Sequence, residues 1–126
     1  MNVPLSDSSG RSIRIHYLCD GPPAANISTP TFMFEGDNSH GYADYLHLQQ
    51  LLKQHNRRSC IWDKAGLGYS DFMYADMYND SLYYHNFIQM IADDQTNIAW
   101  VAWGGGGSLV YDYLFSYTNT TSERLR

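Results

Sequence analysis

The chain has 126 residues, a formal net charge of −5, 44% apolar and 17% charged residues. That length suffices for one small domain with a real core. The acidic balance, with Arg57-Arg58 as the only basic pair of note, excludes the basic stripe that nucleic-acid binding needs. No apolar run approaches the roughly 20 residues of a membrane helix, and MNVPLSDSSG lacks the basic and apolar regions of a signal peptide.

In chain order, residues 2–20 are expected to form a β-hairpin. Asp7-Ser-Ser-Gly10 is the turn signal, and Ile13, Ile15 and Tyr17 then alternate as in a half-buried strand. Thr31–Phe34 is a short continuous apolar run, the pattern of a strand covered on both faces. A helix is predicted over roughly Tyr42–His55, with Tyr45, Leu48, Leu51 and Leu52 at helical spacing. Ser59–Trp62 is a second buried strand. Asn79 or Ser81 can cap a helix running to about Ala92. Ile98–Ala102 reads as a third buried strand, Gly107–Tyr117 as the last helix, and Thr118–Arg126 as a polar, frayed tail.

Strands alternating with helices imply an α/β fold with a parallel sheet and helices on both faces. In such sheets ligands sit at the carboxyl ends of the strands. Three segments fall there: Glu35–Gly41, Asp63–Asp71 and Trp103–Ser108. His40 lies in the first, where an imidazole suits proton transfer; a loop histidine bonded locally is the simpler reading. His16, His47, His55 and His85 are placed on the hairpin or on helices, away from that edge. Gly104–Gly107 lacks the Gly-Lys-Ser/Thr of a phosphate loop and the spacing of a dinucleotide fingerprint. It reads as a turn and close-packing device. Asp76, Asp80, Asp93 and Asp94 match no metal-loop spacing and are read as a solvated acidic face. No metal or cofactor is therefore expected. The tyrosine-rich run Tyr69–Tyr84 serves either to line a pocket or to cover the sheet edge. Asn26, Asn79 and Asn119 head Asn-x-Ser/Thr triplets, which accept glycans only in a secreted protein. Cytoplasmic and secreted locations both stay open.

Taken together, three segments resemble the α/β-hydrolase superfamily. Phe34-Glu-Gly-Asp-Asn-Ser-His-Gly41 is similar to the loop after that fold's third strand. Cys60-Ile-Trp-Asp-Lys-Ala-Gly-Leu-Gly-Tyr-Ser-Asp71 is similar to the Tyr-Asp-Arg-x-Gly-x-Gly-x-Ser-Asp segment after its fourth. Val101-Ala-Trp-Gly-Gly-Gly-Gly107 stands where the family has Val-Gly-His-Ser-x-Gly-Gly, its nucleophile elbow. The resemblance spans about Arg11 to Tyr117. It implies a partial α/β-hydrolase fold: a hairpin at 1–20, a βαβαβα unit at 31–117 and a tail at 118–126, with the later strands missing.

By this register Gly104 occupies the serine position, between Ala102 and Gly106 as the small flanking residues. Ser108 falls one helical turn too late. The resemblance implies an oxyanion hole from the Gly105 N–H and a donor near Gly36-Asp37. Asp63, Gly66, Gly68, Ser70 and Asp71 would be a structural turn, with Gly66 and Gly68 supplying special backbone angles. The family's acid and histidine follow the elbow, and nothing after Gly104 is a histidine. Three readings stay open. The chain is a non-catalytic relative that binds an acyl-type small molecule, an active hydrolase that is serine-type in a fuller form or uses an unorthodox catalytic group, or a half-domain that does not fold stably alone. The family's neighbouring second and fourth strands would also bring Cys19 and Cys60 within reach of a disulfide; two free thiols are the alternative.

Overall fold

The fold is described from a computed structural model covering residues 2–6, 12–22, 29–37, 39–72, 80–91 and 97–117. The turn at Asp7–Gly10, Asp76, Asp93 and Asp94, the three glycan-type asparagines, most of the tyrosine run and the tail after Tyr117 lie outside those residues.

Five strands form one sheet in the order β1-β2-β4-β3-β5. β1 (Asn2–Ser6) and β2 (Ser12–Asp20) make the antiparallel hairpin, in register from Asn2 opposite His16 to Ser6 opposite Ser12. β4 (Ser59–Trp62) lies antiparallel to β2 and parallel to β3 (Thr31–Glu35), and β5 (Ile98–Ala102) continues the parallel run beyond β3. α1 (Leu46–Gln54) follows a 3₁₀ turn at Tyr42–Tyr45, whereas α2 (Asp80–Ile91) and α3 (Gly105–Tyr117) pack on each other.

The period of two in the strands sorts side chains into two cores. Ile13, Ile15, Met33, Cys60 and Trp62 meet Tyr84, Phe87, Ile88, Val110 and Tyr113 of α2 and α3 on one face. Phe34 and Ile61, with Phe32 beside them, meet Tyr45, Leu46 and Leu52 on the α1 face. The arrangement is three layers, helix on sheet on helix. Cys19 stands opposite Cys60 across the β2–β4 ladder, and the two sulfurs are joined as a disulfide.

Two expectations need correction. Half of the apolar stripe expected on α1 faces the sheet: Tyr45 and Leu52 do, together with Leu46 and Gln49, whereas Leu48 and Leu51 are 43% and 40% exposed. Gln49 replaces a leucine there because its Nε2 donates to the carbonyls of Leu18 (3.0 Å) and Ser59 (3.1 Å). Carbonyls of two adjacent strands, that of Ser59 buried, thus receive a donor from the helix above. Secondly, β5 is apolar in sequence but only half-buried, and Val101 is 42% exposed. Among the described residues it pairs with β3 alone, so it is an edge strand.

Helix ends follow local chemistry. Asn56 takes a left-handed conformation (φ 56°) after α1. The Arg57 N–H reaches the Leu52 carbonyl at 2.8 Å and the Asn56 N–H reaches that of Lys53 at 3.0 Å. Such a pair of bonds closes a helix C-terminus. α3 starts at Gly105, two residues earlier than the sequence suggests, because its first turn packs against the end of β3.

Candidate functional site

The carboxyl ends of β3, β4 and β5 bring the three expected segments together. The segment after β4 is organised around Asp63, which is 1% exposed. Its Oδ1 accepts the Tyr42 N–H (2.8 Å) and its Oδ2 accepts the Tyr69 N–H (3.1 Å). One carboxylate thereby ties the loop after β3 to the loop after β4. A Cβ on Gly41 or Gly68 would collide with this carboxyl group, so both glycines make room for it. Gly66 (φ 83°) and Gly68 (φ 49°) also take the left-handed backbone that favours glycine. Ser70 Oγ donates to the Asp63 carbonyl (2.6 Å) and accepts the His16 N–H (2.9 Å). Asp71 closes the loop at the surface, where its carboxylate receives both the backbone N–H and the guanidinium of Arg14. Those hydrogen bonds hold the Asp71 carboxyl below its ordinary range.

His16 belongs to this cluster, which corrects its placement away from the functional edge. Its Nδ1 lies 2.9 Å from Asp63 Oδ2, and its ring stands edge-on to Tyr42 and Tyr69. The antiparallel pairing of β2 with β4 places His16 beside the end of β4. That partner strand is 43 or more residues away in the chain, so local pattern carried no signal for it.

At the end of β5 the chain turns into α3 at Gly104, with φ 56°. The Trp103 N–H donates to the Glu35 carbonyl at 3.0 Å. A Cβ on Gly106 would strike the carbonyls of Glu35 and Gly36, so a glycine there lets α3 approach the end of β3. Gly107 has open space around it, and Ser108 is exposed, one residue farther along the helix. The Gly105 N–H donates to Asp37 Oδ1 at 2.7 Å. A carboxylate at a helix N-terminus suits both the unpaired N–H groups and the helix dipole. Asp37 thus meets the turn through its side chain, and a Cβ on Gly104 would run into the same carboxyl group.

Gly36 is packed between Tyr45 Oη and the Trp103 indole. His40 lies 6.0 Å from the Trp103 ring and 6.4 Å from that of Tyr45, and its buried Nδ1 has no partner among the described residues. Burial first, and then nearby carboxylates, push the Tyr45 phenol up to about 12. Lys64 Nζ holds the Gly36 carbonyl at 2.9 Å.

Beneath the site lies Glu35, 1% exposed and unremarked in the sequence. Its Oε1 accepts Trp62 Nε1–H (2.7 Å) and the Tyr84 hydroxyl (2.6 Å), and Tyr84 in turn accepts Trp100 Nε1–H (2.8 Å). Burial pushes its carboxyl up to about 7, against the lowering effect of those bonds. Among the described residues no group of three or more His, Cys, Asp and Glu is placed to hold a metal ion, and no helix is long and apolar enough to cross a membrane.

The class is α/β: a mixed sheet with a parallel run β4-β3-β5, covered by helices on both faces, that turns into a helix at the end of an edge strand. Comparison with solved structures refines it. A probable hydrolytic enzyme from Pseudomonas aeruginosa superposes with TM-score 0.74 at 16% identity, over 94% of this chain and 38% of that one. An esterase from Exiguobacterium antarcticum gives 0.69 at 20% identity, over 93% and 41%. An α/β-hydrolase enzyme from a deep-sea metagenome library gives 0.64 at 15% identity, over 87% and 39%. This chain therefore has the N-terminal part of the α/β-hydrolase fold, and it spans about two-fifths of the length of those enzymes. No family model and no curated protein matches the sequence.

Proposed function

We propose that the chain is a relative of the acyl hydrolases in which the elbow has lost its nucleophile, so that the site binds rather than cleaves. The observation that carries this reading is Gly104. It holds the left-handed backbone of a strand-to-helix turn, φ 56°, at the position of the expected serine, and it offers no side chain. Acyl transfer needs a nucleophile within hydrogen-bond reach of a base. Among the described residues no hydroxyl or thiol stands at Gly104, the carboxylate beside it, Asp37, is engaged by the Gly105 N–H, and His40 faces aromatic rings. Oxyanion stabilisation would fall to the Gly105 N–H. That donor is engaged by Asp37, which any acyl oxygen would have to displace. The ligand class implied is a small acyl or carboxylate compound, with no metal or cofactor.

The test is ester turnover. Purified wild-type chain, Gly104→Ser and Gly104→Ser/Asp37→Ala are assayed on p-nitrophenyl acyl esters with and without a serine-directed phosphonate. No wild-type turnover above buffer is expected. Wild-type turnover abolished by the phosphonate would overturn the proposal in favour of an active serine-type hydrolase.

A further inference from the structure

We propose that Glu35 is a proton-operated latch: its protonation state sets how firmly the turn at Trp103–Gly106 and the strand end that leads into Asp37 are held. This is independent of whether the turn ever carried a nucleophile.

The side chain and backbone of Glu35 do two separate jobs at one point. Inside the core, Oε1 gathers the Trp62 indole of β4 and the Tyr84 hydroxyl of α2, and Tyr84 gathers the Trp100 indole of β5. One carboxyl group therefore joins three strands and a helix. On the backbone, the Glu35 carbonyl accepts the Trp103 N–H (3.0 Å) and forms the floor under Gly106. The next residue, Gly36, is held by Lys64 Nζ, and the one after it, Asp37, caps α3. The side chain and the backbone of one residue thus tie the core to the strand end that supports the turn.

The carboxyl group has a reason to move when it ionises. Oε2 is buried without a hydrogen-bond partner among the described residues. A neutral carboxyl tolerates that site far better than a carboxylate, whose charge would have one oxygen without a donor. Its charged neighbour is Lys64, from the loop after β4, whose ammonium is already held by the Gly36 carbonyl. Among the described residues the other titratable groups facing the cluster are phenols: Tyr45 from the 3₁₀ turn, Tyr84 from α2, and Tyr113 from α3 behind Tyr84. β5 contributes only the neutral Trp100 indole. Burial brings the transition to about pH 7. In the neutral state the latch is closed. On ionisation the unpartnered Oε2 must draw in water or turn toward a donor, and that movement strains the bonds from Trp62 and Tyr84 to Oε1, which by themselves favour the charged form.

The experiment is a pH titration from 5 to 9 on the intact chain. Tryptophan fluorescence reports on Trp62 and Trp100, and backbone amide shifts of Trp103 and Gly105 report on the turn. The wild type is expected to show one reversible transition near pH 7 by both probes. Glu35→Gln, neutral at every pH, is expected to lose it at both sites. Lys64→Met removes a cation that favours the carboxylate, so its midpoint is expected to move up. The same transition persisting in Glu35→Gln would assign it to the histidines and overturn the proposal, as would a folded wild type with no transition. Where Glu35→Gln does not fold, Lys64→Met decides: an unchanged midpoint overturns the proposal.

Discussion

The disulfide between Cys19 and Cys60 offers a prediction whose size can be worked out. It closes a loop of 41 residues between the hairpin and the second parallel strand. In the chain-entropy model a closure of that length removes about 13 cal/mol/K from the unfolded ensemble, or about 4 kcal/mol at 25 °C. Cys60 is 2% exposed and Cys19 is partly buried against the same core. Against a total stability of about 5–15 kcal/mol for a domain, 4 kcal/mol is a large share. The measurement is urea unfolding of the oxidised chain, of the same chain unfolded and refolded with reductant, and of Cys19→Ala/Cys60→Ala. With a urea slope of about 2 kcal/mol/M, the midpoint is expected to fall by about 2 M on loss of the cross-link. Mass analysis without reductant should find no free thiol in protein made in an oxidising compartment. Coincident transitions for oxidised and reduced chain, or two free thiols in such protein, would refute the reasoning.

Further outcomes follow from the glycines, the buried acids and the loop ties. Gly106→Ala drives a Cβ into the Glu35 and Gly36 carbonyls and is expected to cost about 3 kcal/mol, as overpacking against rigid backbone does. Gly107→Ala meets nothing and should gain up to about 1 kcal/mol from helix propensity; thermal midpoints shifting in the same direction for both variants would contradict this. The Glu35 carboxyl is raised from 4.5 to about 7 in the folded chain. The native state therefore binds more protons than the unfolded state between those values, and stability falls as pH rises through them. The difference, 7 − 4.5 = 2.5, corresponds to on the order of 3 kcal/mol. Wild type and Glu35→Gln should diverge by about that much between pH 4 and 8 in urea unfolding, with the glutamine variant gaining on the wild type as pH rises; parallel pH profiles would count against it. Asp63→Asn turns an amide N–H₂ toward backbone donors and should cost about 2–3 kcal/mol. Asp71→Asn, on the exposed pair with Arg14, should cost much less, which parallel denaturation of the two variants checks.

Much of the architecture was legible because it depends on local pattern. Alternation in β2, the short apolar runs at β3 and β4, and the glycine-rich step after β5 each fix an element without reference to distant residues. The close packing after β5 was legible for a similar reason: near approach of helix and strand demands a residue without a side chain, and Gly106 is such a residue. What escaped were positions whose environment is made by partners far along the chain. Leu48 and Leu51 looked like a core stripe, yet the sheet lies under Gln49, because two strand carbonyls needed a donor there. β5 looked buried, yet among the described residues it pairs with β3 alone, and Val101 and Ala102 are exposed.

The three loops of the site show the same division. Their residue types are written in the sequence, since turns, caps and tight packing are short-range demands. Their mutual bonding is not. Asp63 reaches Tyr42 and His16, Asp37 reaches Gly105, and Glu35 reaches Tyr84, all across separations of 21 to 68 residues. The chain by itself determined that strands and helices would alternate into an α/β fold with a parallel run of strands, and that a glycine turn would follow Ile98–Ala102. The tertiary structure alone decided which acids would be buried and which donors they would meet, because a carboxyl group's environment belongs to the strands and helices packed around it.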